Sequence, residues 1–84
     1  MNKDKQQPAG EEPMRISELA RATNVSKQTI EYYLMLGLLT PLRQAGRRGR
    51  FFDASHVTRI RLIRKLNASG YTLRAIRETY LSRR

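Results

Sequence analysis

The stretch that decides the fold runs from residue 14 to residue 52. Its first part, ISELARATNVSKQTIEYYLMLGLL (16–39), has the spacing of two short helices joined by a tight turn. A helix-turn-helix holds its second helix clear of the first, so that the outer face can enter a DNA major groove. The second part, RQAGRRGRFF (43–52), predicts a basic hairpin or wing. The expected fold is mainly α with a small β-hairpin wing, a winged helix-turn-helix of about four helices, and the expected partner is double-stranded DNA.

The charge of the chain also favours a polyanionic partner. The 17 Lys and Arg residues against 7 Asp and Glu residues give a formal net charge of +10 over 84 residues. A surface field of this sign concentrates polyanions around a protein. Residues 1–13 contain two lysines, one aspartate and two glutamates, a net charge of −1, so residues 14–84 carry +11. The basic surface therefore belongs to the part of the chain that is expected to fold.

Several classes of function find no support in the sequence. Without cysteine there are no disulfides or thiolate ligands, and His56 alone cannot form a metal site. We find no Ser/His/Asp set, paired carboxylates or P-loop, so we expect neither an enzyme nor a cofactor. No apolar run approaches the roughly 20 residues of a membrane span. The expected location is the cytoplasm, in association with the nucleoid.

The chain divides into a polar tail over residues 1–13, expected to be disordered, and one folded domain over residues 14–84. Four residues are expected to cap helices over 17–22, 27–36, 54–68 and from 73 onward, namely Ser17, Ser26, Asp53 and Thr72. Apolar residues at helical spacing are expected to face the core: Ile16, Leu19, Ala20, Ile30, Tyr33, Leu34, Val57, Ile60, Leu62, Ile63, Leu66, Leu73, Ile76 and Tyr80.

The second helix carries the candidate base-reading side chains. Steps of 100° per residue place five side chains on its outer face, namely Lys27, Gln28, Glu31, Tyr32 and Met35. Gln28 can bond to adenine in a bidentate manner, Glu31 can accept from a cytosine amino group, and Lys27 can reach phosphate or guanine. For each of these alone, a solvated helix face is the alternative interpretation.

Other residues of this region suit the phosphate backbone. Ser26, Thr29 and the N-terminus of the second helix offer donors and a favourable dipole to an anion. Tyr32 either meets the phosphate backbone or lies across the wing as surface packing. His56, in the first turn of the third helix, is expected to be a surface or hydrogen-bonded side chain rather than a functional one.

The wing concentrates four arginines, Arg43, Arg47, Arg48 and Arg50, around a turn formed by Gly46 and Gly49. Extended arginines on a tight loop can straddle a phosphate backbone or enter a narrow minor groove, where the negative potential is strongest. The alternative is a solvated loop that promotes solubility. Phe51 and Phe52 are expected to form the return strand and to anchor the wing in the core.

These elements together resemble the DNA-binding domain of MerR-type bacterial transcription regulators. The resemblance rests on MRISELARATNVSKQTIEYYLMLGLLTP (14–41), RGRFFD (48–53) and VTRIRLIRKLNASGYTLRAI (57–76), and covers residues 14 to about 80. It implies a winged helix-turn-helix with recognition residues at Ser26, Gln28, Thr29 and Tyr32, and wing contacts at Arg47, Arg48 and Arg50. Members of this family bind operators as dimers and distort promoter DNA so that RNA polymerase can engage it.

Two features depart from the family pattern. The position of Glu31 is usually basic in the family, so either base preference or affinity is expected to differ here. The chain also stops before the long helix that pairs family protomers. We therefore expect a monomer in this form, which pairs on DNA or through missing or partner segments, and is either a fragment of a longer regulator or a minimal stand-alone member.

Three functions remain open on the sequence. The recognition face and the family resemblance favour a sequence-specific transcription regulator acting at promoter DNA. A small architectural or excisionase-like DNA-binding protein without an effector domain would use the same winged module. Binding of RNA or of an anionic membrane is supported only by charge.

Overall fold

The computed structural model describes residues 13–43, 46 and 48–81, with the backbone alone for 80 and 81. The predicted disorder of the tail, the wing contact of Arg47 and the inward orientation of the Tyr80 side chain therefore lie outside the described residues.

The described part of the chain contains four helices, which we label α1 (Ile16–Thr23), α2 (Lys27–Met35), α3 (Ala54–Ala68) and α4 (Leu73–Ile76). A π-helical turn, Arg77–Leu81, continues directly from α4. Helix α1 packs against both α2 and α3, and α4 packs against α3. The predicted mainly α fold of about four helices is confirmed.

The turn between α1 and α2 forms as the sequence predicts. Asn24 adopts the left-handed conformation, with φ of 59°, which Asn tolerates better than most residues. The next residue, Val25, is buried and donates its backbone N–H to the Ala20 carbonyl at 3.1 Å. Ser26 then caps α2, since its Oγ accepts from the Thr29 backbone N–H at 3.0 Å. This tight connection sets the angle at which α2 leaves α1.

The predicted cap of α1 is wrong. The helix begins one residue before Ser17, and Arg15 stands at the N-cap position. The Glu18 carboxylate reaches back and accepts from the Arg15 backbone N–H at 2.8 Å. A glutamate three residues after the cap can satisfy a free N–H group of the first turn, as in a capping box. The hydroxyl of Ser17, which is exposed, does not provide the cap.

Helix α3 is fixed at its start by a reciprocal pair of side chains. Asp53 Oδ1 accepts from the Ser55 backbone N–H at 2.9 Å and from the Ser55 hydroxyl at 2.6 Å. The buried His56 ring accepts from the Asp53 backbone N–H at 3.0 Å through Nδ1. Its Nε2 therefore carries the hydrogen and donates to the Thr40 carbonyl at 2.7 Å. His56 is thus a hydrogen-bonded structural residue that joins α3 to the segment leading into the wing.

The core is built from the predicted faces of all four helices together with the return arm of the wing. Seven large side chains are fully buried: Leu19, Ile30, Leu38, Phe52, Ile60, Ile63 and Ile76. The prediction for Leu62 is wrong, because its side chain is 40% exposed. Ile60 and Ile63 centre the buried face of α3, and 100° steps turn residue 62 to the side of that face.

A regular hairpin is not seen within the described residues. Two isolated antiparallel bridges hold the base of the wing instead, one between Leu42 and Phe51 and one between Met14 and Phe52. The second bridge is made by two hydrogen bonds, of 2.7 Å from Met14 N to Phe52 O and 2.8 Å from Phe52 N to Met14 O. Neighbouring residues of an extended chain present their polar groups to opposite sides. The return arm therefore pairs with the outgoing arm on one side and with the start of the domain on the other.

The cap of α3 predicts a pH-dependent stability. Hydrogen bonding, first from the Ser55 hydroxyl, lowers the pKa of Asp53, so its carboxylate stabilises the fold fully above the unfolded-state pKa of about 4. That contribution is lost as the pH falls through the lower folded-state pKa. Asp53→Ala should reduce the free energy of unfolding by about 1 kcal/mol near neutral pH, whereas Asp53→Asn should retain the cap and lose this titration.

Urea denaturation of the wild-type chain and both variants between about pH 2 and 7 measures this effect. The difference between the wild type and Asp53→Asn should change below about pH 4 and stay constant above it. A difference that is constant over the whole range would show that the Asp53 carboxylate does not act in this way.

Candidate nucleic-acid interface

The outer face of α2 is exposed, as predicted. Lys27, Gln28 and Glu31 are exposed, and Tyr32 and Met35 are 48% and 73% exposed. On the opposite face, Ile30 and Tyr33 are buried and Leu34 is half-buried against the core. The predicted division of α2 into a core face and an outer face is therefore confirmed.

The start of α2 presents hydroxyl groups in a defined arrangement. Ser26 Oγ accepts from the Thr29 backbone N–H and donates its own hydrogen to Thr29 Oγ1 at 3.0 Å. Thr29 Oγ1 is the acceptor in that bond, so its hydrogen is not used there and can be offered to an anion. A phosphate oxygen at this end of α2 would also be favoured by the helix dipole.

Tyr32 lies beside α4. It lines a shallow groove together with Leu36, Leu73, Arg74 and Arg77. The Tyr32 side chain thus shares this groove with two arginines, Arg74 and Arg77. Cationic side chains next to a phenolic hydroxyl form a surface that suits a phosphate oxygen.

An ion pair joins the wing to α2. Arg50 Nη1 donates to Glu31 Oε1 at 2.9 Å, and Arg50 Nη2 donates to Glu31 Oε2 at 2.8 Å. The side chains remain 44% and 51% exposed. The hydrogen bond with Arg50 lowers the pKa of Glu31, and the same bond raises the pKa of Arg50. Sequence reasoning assigned these two residues separate contacts with DNA and did not anticipate that they bind each other.

Arg15 is a second residue that the sequence reasoning missed. Its guanidinium carbon lies 4.3 Å from the centroid of the Phe51 ring, and its Nη1 donates to the Arg48 carbonyl at 3.5 Å. A guanidinium over an aromatic face is attracted by the ring quadrupole. Arg15 therefore contacts the return arm of the wing at both Phe51 and Arg48. The sequence shows only that Arg15 follows Met14. It does not show that Met14 pairs with Phe52, which lies far away in the chain and brings Arg15 next to Phe51.

Gly49 allows Arg15 to reach this position. A Cβ at residue 49 would lie 2.5 Å from Arg15 Nη1, and the backbone has φ of +100°, which side chains rarely adopt. Gly46 also has a positive φ, of +75°, but a Cβ there would meet no atom of the described residues within 4 Å. The two glycines thus serve different purposes: Gly46 makes a turn, and Gly49 makes a turn and a close contact.

The remaining predicted wing residues are exposed. Arg43 and Arg48 are accessible to solvent, while Arg47 lies outside the described residues. The structure thus brings Ser26, Thr29, Gln28 and Lys27 together on α2, and connects α2 to the wing through Glu31 and Arg50.

Among the described residues, no three His, Asp or Glu side chains are grouped closely enough to hold a metal ion. No helix in the described ranges is long and apolar enough to cross a membrane.

Comparison with known proteins gives a consistent result. Residues 14–82 match the family described as MerR HTH family regulatory protein. The HTH-type transcriptional regulator CueR of Bacillus subtilis is 45% identical over 51 residues, which cover 61% of this chain and 35% of that protein. The nodulation protein NolA of Bradyrhizobium elkanii is 38% identical over 64 residues, or 76% of this chain and 29% of that protein.

A third relative is the mercuric resistance operon regulatory protein of Bacillus cereus. It is 36% identical over 62 residues, which cover 74% of this chain and 47% of the relative. The chain thus spans less than half the length of each of these curated relatives.

The contact between Arg15 and Gly49 predicts different effects for two alanine substitutions. Gly49→Ala should displace the Arg15 guanidinium from Phe51, whereas Gly46→Ala carries backbone strain alone and should leave that stack in place. NMR measures the difference, because protons stacked on an aromatic ring are shifted by its ring current. Loss of the shift in both variants, or in neither, would contradict the distinct role of Gly49.

Proposed function

Because this chain belongs to the MerR HTH family of regulatory proteins, we propose that it binds double-stranded DNA sequence-specifically and regulates transcription at promoters. The observation that carries the proposal is the exposed outer face of α2, which stands beside a basic wing. The proposed DNA-binding unit is residues 14–84.

We assign base reading to the outer face of α2. Gln28 is exposed in the first turn of the helix and has the paired donor and acceptor that match adenine. Lys27 is exposed next to it and suits phosphate or a guanine edge. Ser26 and Thr29 at the helix start, and Tyr32 beside α4, are proposed to contact phosphates and to fix the register of α2 in the major groove.

The wing is assigned to the DNA backbone. Arg43 and Arg48 are exposed on its two arms, and Arg47 is proposed to join them. Such contacts are independent of base sequence and make binding strongly dependent on salt. Arg50 differs from these arginines, because its terminal nitrogens are bonded to Glu31.

We propose that the chain acts by binding DNA and not as an enzyme, and that it does so in the cytoplasm at the nucleoid. The proposed protein partner is RNA polymerase, which would engage promoter DNA that the bound chain has distorted. Footprints at promoters would support this function. Footprints at recombination attachment sites would instead support the architectural, excisionase-like alternative.

The different assignments of α2 and the wing predict different mutant behaviour. Arg48→Gln should weaken binding to all duplexes alike and make the dependence of log K on log salt shallower by about 0.9, which corresponds to one phosphate contact. Gln28→Ala should relax the preference at particular base pairs by roughly 1 to 3 kcal/mol, with little loss on random DNA.

Fluorescence anisotropy over a salt series, together with selection of sites from a random library, measures both effects. Arg61→Gln serves as the control, since it removes the same charge from an exposed position on α3. An affinity of the wild-type chain that barely changes with salt would refute DNA binding. Unchanged site preference in Gln28→Ala would make this residue part of a solvated face.

We further propose that the 84-residue chain is a monomer in free solution and pairs on DNA. Among the residues whose side chains the structure describes, the large exposed apolar ones are spread over α2, α3 and the segment after α3, namely Tyr32, Met35, Leu62 and Tyr71. A standard interface buries about 800 Å² per partner, and this distribution does not favour one. Sedimentation at micromolar concentration should give a monomer without DNA and a dimer on a palindromic duplex. A stable dimer without DNA would contradict the proposal.

A further inference from the structure

The Glu31–Arg50 pair occupies the donors that a phosphate would use. The carboxylate bonds both terminal nitrogens of the guanidinium, at 2.9 and 2.8 Å. Arginine binds carboxylate and phosphate through the same fork of two parallel N–H groups. Within this pair, Glu31 therefore takes the place of a DNA phosphate at Arg50.

The position of Glu31 places a negative charge on the proposed base-reading surface. It lies on the outer face of α2, on the same surface as Lys27 and Gln28. In the major groove most base-edge groups are acceptors, and only the amino groups of cytosine and adenine can donate to a carboxylate. An anion on this face is therefore tolerated where a donor is opposite and repelled by phosphates and acceptors elsewhere.

The pair does not serve primarily to hold the fold together. Both side chains are about half exposed, and exposed ion pairs contribute little to the stability of a fold. The base of the wing is independently fixed by the bridges at Phe51 and Phe52. Helix α2 has its own cap at Ser26. Removing the carboxylate should therefore leave the domain folded.

We propose that Glu31 is a specificity-determining residue that withholds Arg50 from the phosphates of non-specific DNA. This inference rests on the proposed DNA-binding function. Affinity for random DNA comes almost entirely from phosphate contacts, so withholding one cation lowers it directly. A target with an amino group opposite Glu31 offsets the loss through a base contact. Specificity is the difference between two affinities, and a repulsive element against the wrong sequence increases that difference.

The test compares four forms of the chain: the wild type, Glu31→Gln, Arg50→Gln and the double variant. Asp53→Asn is the matched control, because it removes one negative charge outside α2 and retains a capping side chain. Each form is titrated against a random-sequence duplex and against a duplex selected by the wild-type chain, from about 0.05 to 0.3 M salt. Thermal melting followed by circular dichroism confirms that each variant is folded.

Glu31→Gln should bind the random duplex about five- to tenfold more tightly near 0.1 M salt, with a dependence on log salt steeper by about 0.9, because one further phosphate contact forms. The selected duplex should gain less, so the ratio of specific to non-specific affinity should fall. The double variant should lose the added steepness. Arg50→Gln alone leaves the carboxylate unpaired, so it should bind the random duplex more weakly than the double variant. Asp53→Asn should change neither affinity by more than about twofold, since the Asp53 carboxylate is bonded to Ser55 at the start of α3 and its removal frees no wing arginine for a phosphate.

Three results would contradict the inference, and they show whether the proposed function fails with it. If the wild-type chain binds with a steep salt dependence but Glu31→Gln changes neither the affinity nor the slope on random DNA, the inference is wrong and the proposed function stands. Equal weakening of both duplexes in Glu31→Gln would likewise overturn the inference, since Glu31 would then orient Arg50 productively. If the wild-type chain shows no salt-dependent binding to duplex DNA, the proposed function fails and the inference fails with it.

Discussion

The position of the wing depends on the burial of Phe52. Its ring is fully buried and packs edge-on against His56, with the ring centroids 5.1 Å apart. Its backbone exchanges two hydrogen bonds with Met14. Full burial of a phenylalanine side chain is worth roughly 1.5 to 3 kcal/mol, and here it also fixes the direction in which the preceding residues leave the core. The wing therefore stands at a set angle to α2, although the described residues contain no regular sheet.

Local signals in the sequence predicted most of the helical frame. The caps at Ser26, Asp53 and Thr72 act within three residues of their own positions, so a local pattern contains all the information that they need. The cap of α1 was mispredicted because Ser17 and Glu18 compete for the same helix start, and the reach of Glu18 decided the outcome. The assignment of Leu62 failed for a related reason: a second apolar residue beside a helical stripe does not indicate how wide the buried face is.

The contacts that organise the candidate interface could not be predicted in the same way. Arg15 meets Phe51 across 36 positions of the chain, and Glu31 meets Arg50 across 19. Such contacts follow from the tertiary arrangement, which the periodicity of single helices does not specify. Exposure of the outer face of α2 was predictable, because opposite faces of a helix are fixed by its repeat. The pairing between two residues that were both assigned to DNA was not.

The three attachments of the wing differ in how readily they can change. Phe52 is buried and bonded through its backbone, so displacing it would expose apolar surface and break ladder hydrogen bonds together. Arg15 stacks on Phe51 from an exposed position, and the Glu31–Arg50 pair is about half exposed, so water and ions compete with both. Ordering a flexible segment costs about 1 to 2 kcal/mol per residue, and the buried attachment removes part of that cost before DNA arrives. The exposed attachments therefore contribute less to the position of the wing than the buried one does. A wing whose base is fixed by Phe52 keeps its orientation relative to α2 even where an exposed contact is lost.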